Sequence, residues 1–306
     1  KWLRTILVRG LILQTRPKKS AAAYQKIWWE EGSPLIVISE RFLHKVRSTT
    51  DLPVALGMRY GSGSIEEGLK ELSDQGVDDV LLVPLYPHYA MSSYETVVVK
   101  TLEIQQDKFP QMEITTLPAF YKTPGYIQVL AHSIQDHLKD FEYDHVLFSY
   151  HGIPERHIRK SDPTRFHCKI DGKCCSVNSV AHNSCYRHQC YDTTERIVQT
   201  LGLPREKVSS SFQSRLAGDP WLKPYTDYEF KRLAEEGKTR LAVITPAFVS
   251  DCLETLEEIA MEGKEEFLEA GGTEYIHSPC LNDREDWVAL MGEWMGQWAE
   301  TDTLPV

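Results

Sequence analysis

Residues 239–251 read "TRLAVITPAFVSD", and the chain continues as "DCLETLEEIAMEGKEE" over 251–266. The first stretch is a short, continuous apolar run that ends in Pro, an aromatic and Ser. An unbroken apolar run, not an alternating one, marks a strand buried on both faces, as in a parallel sheet covered by helices. The second stretch has helical spacing, with acids every third or fourth position. Strand, turn and helix thus follow in one unit.

Working outward, the same unit recurs. "VDDVLLVPLYPHYAMSS" (77–93) predicts a buried strand running into a Pro- and aromatic-rich loop, with a helix from about Tyr94. "YDHVLFSYHGIP" (143–154) predicts another strand. "LPVALGMRYG" (52–61) predicts a third, followed by the helix "SIEEGLKELSDQG" ending at Gly76. The fold class is α/β, with parallel sheets flanked by helices. A faint internal echo pairs "VALGMRYG" with "VLFSYHGI", and "VLLVPLYPHYAMSS" with "LAVITPAFVSD", as two similar halves would. The expected division is 1–135, 136–282 with a polar cysteine-rich insertion at 160–190, and a helix and tail at 283–306 packing back on the first unit. A helix is expected to follow the insertion from near Asp192.

The bulk properties bound the function. The chain has 306 residues, 42% hydrophobic and 25% charged, with a net charge of −10. This is globular composition without the dominant basic surface of a general nucleic-acid binder. No apolar run approaches the length of a membrane span. The opening "KWLRTILVRGLILQTRPKK" (1–19) places Trp2, Leu3, Ile6, Leu7, Leu11 and Ile12 roughly on one helical face, among Arg4, Arg9 and Arg16. It reads either as a helix packed on the core or as an apolar lip with a cationic fringe at a membrane surface. It lacks a signal-peptide cleavage site, so a reducing cytosol is expected. The chain begins with Lys, not Met, and a missing natural N-terminus is expected.

Several residues stand where chemistry is done. His151 directly follows an apolar strand, and ligands in open parallel sheets bind beyond the strands' carboxyl ends. Asp251, Glu254, Glu258 and Glu262, spaced 3, 4 and 4, form one acidic stripe on a helix. They suit either a solvated helix face or a relay of hard oxygen ligands and proton acceptors. Tyr86, Tyr89, Trp221, Tyr225 and Phe248 suit the walls of a flat apolar pocket. Arg59 with Tyr60 suits an anionic substrate group. There is no phosphate-binding loop of the Walker or dinucleotide type and no nucleophile elbow, so no nucleotide cofactor is expected; "GSGSIEEG" (61–68) is too short a match.

The insertion "FHCKIDGKCCSVNSVAHNSCYRHQC" (166–190) holds five of the seven cysteines. In a reducing compartment such a cluster points to metal binding or redox chemistry. The spacing Cys168-x5-Cys174-Cys175-x9-Cys185-x4-Cys190 lacks the CxxC pairs of a zinc knuckle. Four thiolates suit a 2Fe–2S cluster, and His167, His182 and His188 leave mixed zinc ligation open. Adjacent Cys174 and Cys175 diverge, so one of the two is expected to bind.

Together "PLYPHYAMSSYE", "FSYHGIPER", "SFQSRLAGDPWLKPYTD" and "PAFVSDCLETLEEIA" resemble the ferrochelatase family, and the resemblance runs from about "RPKKSAAAYQKIWWEEGSPL" to the last helix. It implies two Rossmann-like domains around a deep cleft, and insertion of Fe²⁺ into protoporphyrin IX in heme synthesis. By motif, His151 resembles the family's active-site histidine and Glu254 the acidic partner across the macrocycle. Asp251, Glu258 and Glu262 resemble the acidic row behind it. Arg59, Tyr60, Ser92, Trp221 and Phe248 match positions lining the porphyrin cleft, with Tyr86 beside them. The family's opening strand and "NLGTP"-type loop are absent, which implies a first domain lacking its first strand. Met91 stands where some members place a cluster cysteine, and the tail "GQWAETDTLPV" has none. The 168–190 cysteines resemble instead the internal cluster segment of some bacterial members. The implied ligands of a 2Fe–2S cluster are Cys168, Cys175, Cys185 and Cys190, with Cys174 the alternate to Cys175. The resemblance further implies a bacterial, monomeric protein in the cytoplasm, touching the inner membrane peripherally. A chelatase for another metal or tetrapyrrole, and a heme- or iron–sulfur-binding sensor, are the alternatives.

Overall fold

Two parallel sheets organise the chain, which the computed structural model describes over residues 13–216 and 218–304. The smaller sheet pairs β1 (Asp79–Leu82) with β2 (Glu113–Thr116), in register from Asp79↔Glu113 to Leu82↔Thr116. The larger has the order β4–β3–β5–β6, built from β3 (His145–His151), β4 (Val208–Gln213), β5 (Arg240–Ile244) and β6 (Glu274–Ser278). Every pairing is parallel. Parallel neighbours require crossovers, and these are helical. Helices α1 (Leu13–Ile27), α2 (Pro34–Arg47), α3 (Ile65–Asp74), α4 (Tyr94–Lys108) and α5 (Pro124–Leu138) belong to the first part of the chain. Then come α6 (Glu155–Ser161), α7 (Tyr186–Leu201), α8 (Thr226–Glu235), a π-helix (Glu254–Gly263), α9 (Lys264–Glu269) and α10 (Glu285–Thr301).

The continuous apolar runs are explained by burial on both sheet faces. Val146, Phe148 and Tyr150 of β3, with Ala242 and Ile244 of β5, enter the larger core cluster. Leu147, Leu241 and Val243 face the other way, onto Phe230 and Leu233 of α8, Ile259 of the π-helix and Phe267 of α9. Residues Val146 to Tyr150 have no exposed surface. Helix α10 lies on α2 and α5, where Trp287 stacks on Phe42 at 5.9 Å and Trp294 meets Phe120 edge-on at 5.3 Å. The chain passes from β3 outward to β4, then back across β3 to β5. The two strands flanking β3 are therefore reached in opposite directions, which opens a crevice at its carboxyl end.

Four expectations need correction or fall outside the described residues. Residues 52–61 form no ladder strand: Met58 makes one isolated bridge to Ser64, and the Val54 carbonyl is taken by the Arg47 guanidinium at 2.6 and 2.8 Å. Helix α7 starts at Tyr186, six residues before Asp192, because its buried face is largely polar and escapes an apolar pattern. The acidic helix is π over Glu254–Gly263, not α. The apolar stretch from Trp2 to Ile12 lies outside the described residues.

Candidate active site

At the end of β3 the chain turns sharply at Gly152. The Gly152 N–H donates to the Gln213 carbonyl at 2.8 Å, next to the last ladder pair, His151↔Gln213. A Cβ at 152 would lie 2.7 Å from that carbonyl oxygen and 3.3 Å from Cε3 of Trp221, so glycine is required by close approach. Trp221 is buried, and the Pro154–Trp221 bridge closes the turn. His151 Nδ1 stands 2.6 Å from the Gly152 carbonyl. A carbonyl only accepts, so Nδ1 carries the proton and Nε2 of the neutral ring keeps a free lone pair. The ring lies 6.1 Å from that of Phe248.

The acidic row divides. Asp251 is buried and fully engaged: Oδ1 accepts from the Thr255 hydroxyl at 2.8 Å, and Oδ2 from Asn282 Nδ2 at 2.7 Å. It ties Thr255, in the first turn of the π-helix, to Asn282 after β6. Glu254, Glu258 and Glu262 remain neighbours, because the wider i→i+5 turn still brings residues four apart close to one face. Burial pushes the Glu258 carboxyl above its usual range, and the charges of Glu254 and Glu262 push the same way. The Ser214 N–H, at 2.8 Å, and the Ser214 hydroxyl both donate to Glu258 and oppose that rise. Glu262 is exposed, yet partial loss of water around its carboxyl raises it too, aided by Glu257 and opposed by Lys26.

Two cavities flank this row. One, of about 610 Å³, is largely apolar and is lined by Arg59, Tyr86, Phe248, Cys252 and Glu254, with side chains from α2, α3 and β1. The other, of about 320 Å³, is polar and lined by Gln213, Ser214, Arg215, Asp227, Glu258, Glu262 and Glu266. The Arg59 Nε is buried with no hydrogen-bond partner among the described residues. Its guanidinium sits 4.6 Å over the Tyr60 ring, which is 76% exposed. Ser92 is exposed, with its carbonyl toward the Thr96 hydroxyl. His151 and Trp221 are not among the residues lining the larger cavity; His151 lies beside Phe248, which is.

Sequence reasoning missed several residues here. Gln213 joins the strand end to the acidic helix: Oε1 accepts from the Ser149 hydroxyl at 2.7 Å, and Nε2 donates to the Glu254 carbonyl at 3.2 Å. Lys26 of α1 pairs with buried Glu257 at 2.5 Å and reaches Glu262 at 3.6 Å. Glu257 lies between the acids of the stripe and carried no separate signal. Tyr186 donates its hydroxyl to the His151 carbonyl at 2.8 Å.

The cysteine segment is built of turns around short 3₁₀ pieces at Cys174–Ser176 and Val180–Asn183. All seven cysteines of the chain are free. The thiols of Cys168 and Cys175 lie close enough to that of Cys185 to perturb one another. The Cys175 thiol, with the backbone N–H groups of Arg187 and His188 at the start of α7, draws the Cys185 thiol down. Burial pushes Cys168 up, and the neighbouring Cys185 does so for Cys175. Cys190 is fully buried inside α7, its thiol on the Tyr186 hydroxyl. His167 and His182 both face the Cys174 carbonyl, at 2.9 and 3.3 Å, and His188 faces that of Cys175 at 3.0 Å. Among the described residues, no group of three or more His, Cys, Asp or Glu side chains stands in a metal-ligating arrangement. Yet Arg187 is buried, with Nη1 unpartnered, and it has no carboxylate partner among the described residues. A buried cation calls for a nearby anion, and the thiols of Cys174 and Cys175 lie within its electrostatic reach.

The ferrochelatase family profile matches residues 1–297. A ferrochelatase of Opitutus terrae is 46% identical over 299 residues, spanning 97% of this chain and 86% of the relative. One of Stutzerimonas stutzeri is 46% identical over 291 residues, spanning 94% and 85%. In three dimensions the chain resembles SirB from Bacillus subtilis with Fe³⁺, with TM-score 0.59, 13% identity, and coverage of 86% of this chain and 89% of that one. It also resembles a cobalt complex of the sirohydrochlorin chelatase SirB from Bacillus subtilis subspecies spizizenii, with TM-score 0.56, 11% identity, and coverage of 89% and 92%. These structural likenesses establish a chelatase-type fold. With the profile spanning nearly the whole length and relatives this similar, the chain belongs to the ferrochelatase family.

Proposed function

We propose that His151 and the row Glu254–Glu258–Glu262 divide the labour of inserting iron into protoporphyrin IX. The reaction is that of the family: Fe²⁺ enters the macrocycle, two pyrrole N–H protons leave, and protoheme forms, which makes the enzyme a lyase of heme biosynthesis. The metal brings two positive charges and two protons depart, so the macrocycle's charge is unchanged. His151 receives the two pyrrole protons in turn at Nε2, the nitrogen left free by the Nδ1 bond to Gly152, and passes each on to water. The carboxylates of Glu254, Glu258 and Glu262 conduct Fe²⁺ as hard oxygen ligands. Asp251, with both oxygens already committed, holds the head of that row in place.

The observation that carries this reading is the position of the row. Glu254 opens on the large apolar cavity, and Glu258 and Glu262 on the polar one. On this reading iron approaches the macrocycle along the carboxylates and not across the apolar face. Tyr86 and Phe248 wall the macrocycle, Trp221 backs the His151 turn, and Tyr60 and Ser92 form the rim. Arg59, with its unpartnered buried Nε, receives a propionate. The test is Glu254→Gln against Glu262→Gln. Glu254→Gln should cut turnover at least tenfold and Glu262→Gln less, because Glu262 is exposed and has Lys26 beside it. Equal, small effects at both positions would return the row to a solvated helix face.

We further infer that the cysteine segment holds a 2Fe–2S cluster. Cys168, Cys175 and Cys185 are supported by their mutual contacts, Cys190 is the fourth ligand, and Cys174 is the alternate to Cys175. Such a cluster supplies a one-electron centre and a cross-link for a polar segment; the insertion reaction uses neither. The same reading makes the protein a cytoplasmic monomer of two α/β units meeting near residue 135. Peripheral membrane contact is supported by the exposed Trp28 and Tyr60. No helix among the described residues is long and apolar enough to cross a membrane.

A further inference from the structure

We infer that Tyr186 is a positioning residue for His151, and that through it the cysteine segment holds the catalytic end of β3. The inference rests on the assignment of His151 as proton acceptor. Its basis is the peptide unit joining His151 to Gly152, which is held at both ends. Its N–H donates to the Gln213 carbonyl at 2.8 Å. Its C=O accepts from the Tyr186 hydroxyl at 2.8 Å. A trans peptide points these two groups in opposite directions, so the carbonyl faces away from β4. On that side the β3–β5 ladder has already ended at Phe148↔Ile244. Past that pair no β5 residue stands in register with β3, and Tyr186 supplies the donor.

The consequence reaches the imidazole directly. His151 Nδ1 donates to the next carbonyl, Gly152 O. Rotation of the 151–152 peptide would therefore swing the ring and redirect Nε2. Tyr186 is buried, so its hydroxyl needs a partner, and the ring is braced edge-on by His88 at 5.9 Å.

Tyr186 is also the first residue of α7, immediately after Cys185. The start of that helix is fixed from the cysteine segment: Cys185 flanks its first turn, and the Ser184 hydroxyl donates to the Ser161 carbonyl at 2.6 Å. Gln189, one turn on, donates to the His182 and Asn183 carbonyls and accepts from the Tyr89 N–H. Order in the segment thus sets where the Tyr186 hydroxyl stands. A thiol-bound group several residues from the reaction can support turnover in this way without entering it.

The test is Tyr186→Phe, which keeps the ring and its packing and removes the donor. Turnover should fall about tenfold with the KM for protoporphyrin within twofold of wild type, and amide exchange at Gly152 should quicken. Cys185→Ser should lower turnover as well. The double variant should be no slower than the slower single, because both act through one contact. Tyr186→Phe turnover within twofold of wild type, or a loss confined to KM, overturns the positioning role. Multiplying effects in the double variant overturn the link to the cysteines. His151→Ala is measured alongside: if it keeps turnover, the proton-acceptor assignment fails. If His151→Ala is inactive while Tyr186→Phe is normal, the positioning role alone fails. Gly152 exchange reports in either case without relying on turnover.

Discussion

Substituting Gly152 by alanine tests whether the backbone at the end of β3 fixes the catalytic ring. The new Cβ would lie 2.7 Å from the Gln213 carbonyl oxygen and 3.3 Å from Cε3 of Trp221. The oxygen belongs to the backbone and also accepts the Gly152 N–H, so it cannot swing aside. Relief therefore requires the 151–154 turn to move by a few tenths of an ångström. Overpacking of this kind costs about 1–3 kcal/mol. Because His151 is bonded to the Gly152 carbonyl, the same movement displaces Nε2. A misplacement approaching 1 Å costs about 10²-fold in rate, so a loss of about tenfold is expected for this smaller shift. The assays are thermal unfolding and the rate at which ferrous iron quenches protoporphyrin fluorescence, with KM measured separately. Gly296→Ala is the control: nothing lies within 4 Å of its Cβ position in α10, so alanine should stabilise that helix by about 0.5–1 kcal/mol. A Gly152→Ala enzyme that melts and turns over like wild type would refute the claim that this turn sets the ring.

The other predictions concern the acidic row and the thiols. Glu258 holds its proton to higher pH than an ordinary carboxylate, so the acidic limb of turnover should lie above the usual Glu range. Its folded-state pKa is raised, so its charged form costs stability above that pKa, and the cost is gone below the unfolded value of about 4.3. Glu258→Gln should therefore stabilise the fold more at pH 7 than at pH 4 while slowing insertion; equal gains at both pH values would contradict the burial argument. The protein as isolated should be red-brown, with iron and sulfide near two each per chain, the ratio of a 2Fe–2S centre. Cys174→Ser should leave that colour and Cys175→Ser should bleach it; a colourless wild-type protein with stoichiometric zinc and no sulfide would remove the cluster from the account.

The strands β3 and β5 were legible because burial on both faces writes an unbroken apolar run, and His151 was legible because it follows one directly. The 52–61 stretch imitates that run, but its Val54 carbonyl is satisfied by Arg47 instead of a strand partner. The start of α7 was hidden because Gln189, Thr193 and Thr194 face inward and are satisfied by hydrogen bonds. The 3, 4, 4 spacing of the acids survives in a π-helix, so the stripe was visible although the helix type was not. Asp251 shared that spacing, but whether its oxygens are free depends on Asn282 and Thr255, and sequence spacing carries nothing about either contact. Lys26 and Glu257 are 231 positions apart. Gln213 and Tyr186 act through backbone carbonyls. Neither kind of contact leaves a mark in a single sequence.

The division of labour at the centre of this account is tested most directly by His151→Ala at saturating protoporphyrin. Porphyrin binding, followed by fluorescence, and ferrous iron insertion, followed by appearance of the heme absorption band, are measured on the same preparation. The account predicts porphyrin affinity within twofold of wild type and insertion slowed by about 10²-fold or more, since a general base contributes about 10²–10⁴-fold. An alanine enzyme that binds porphyrin normally and retains more than about a tenth of wild-type turnover, a loss under about 1.4 kcal/mol in barrier, would contradict it.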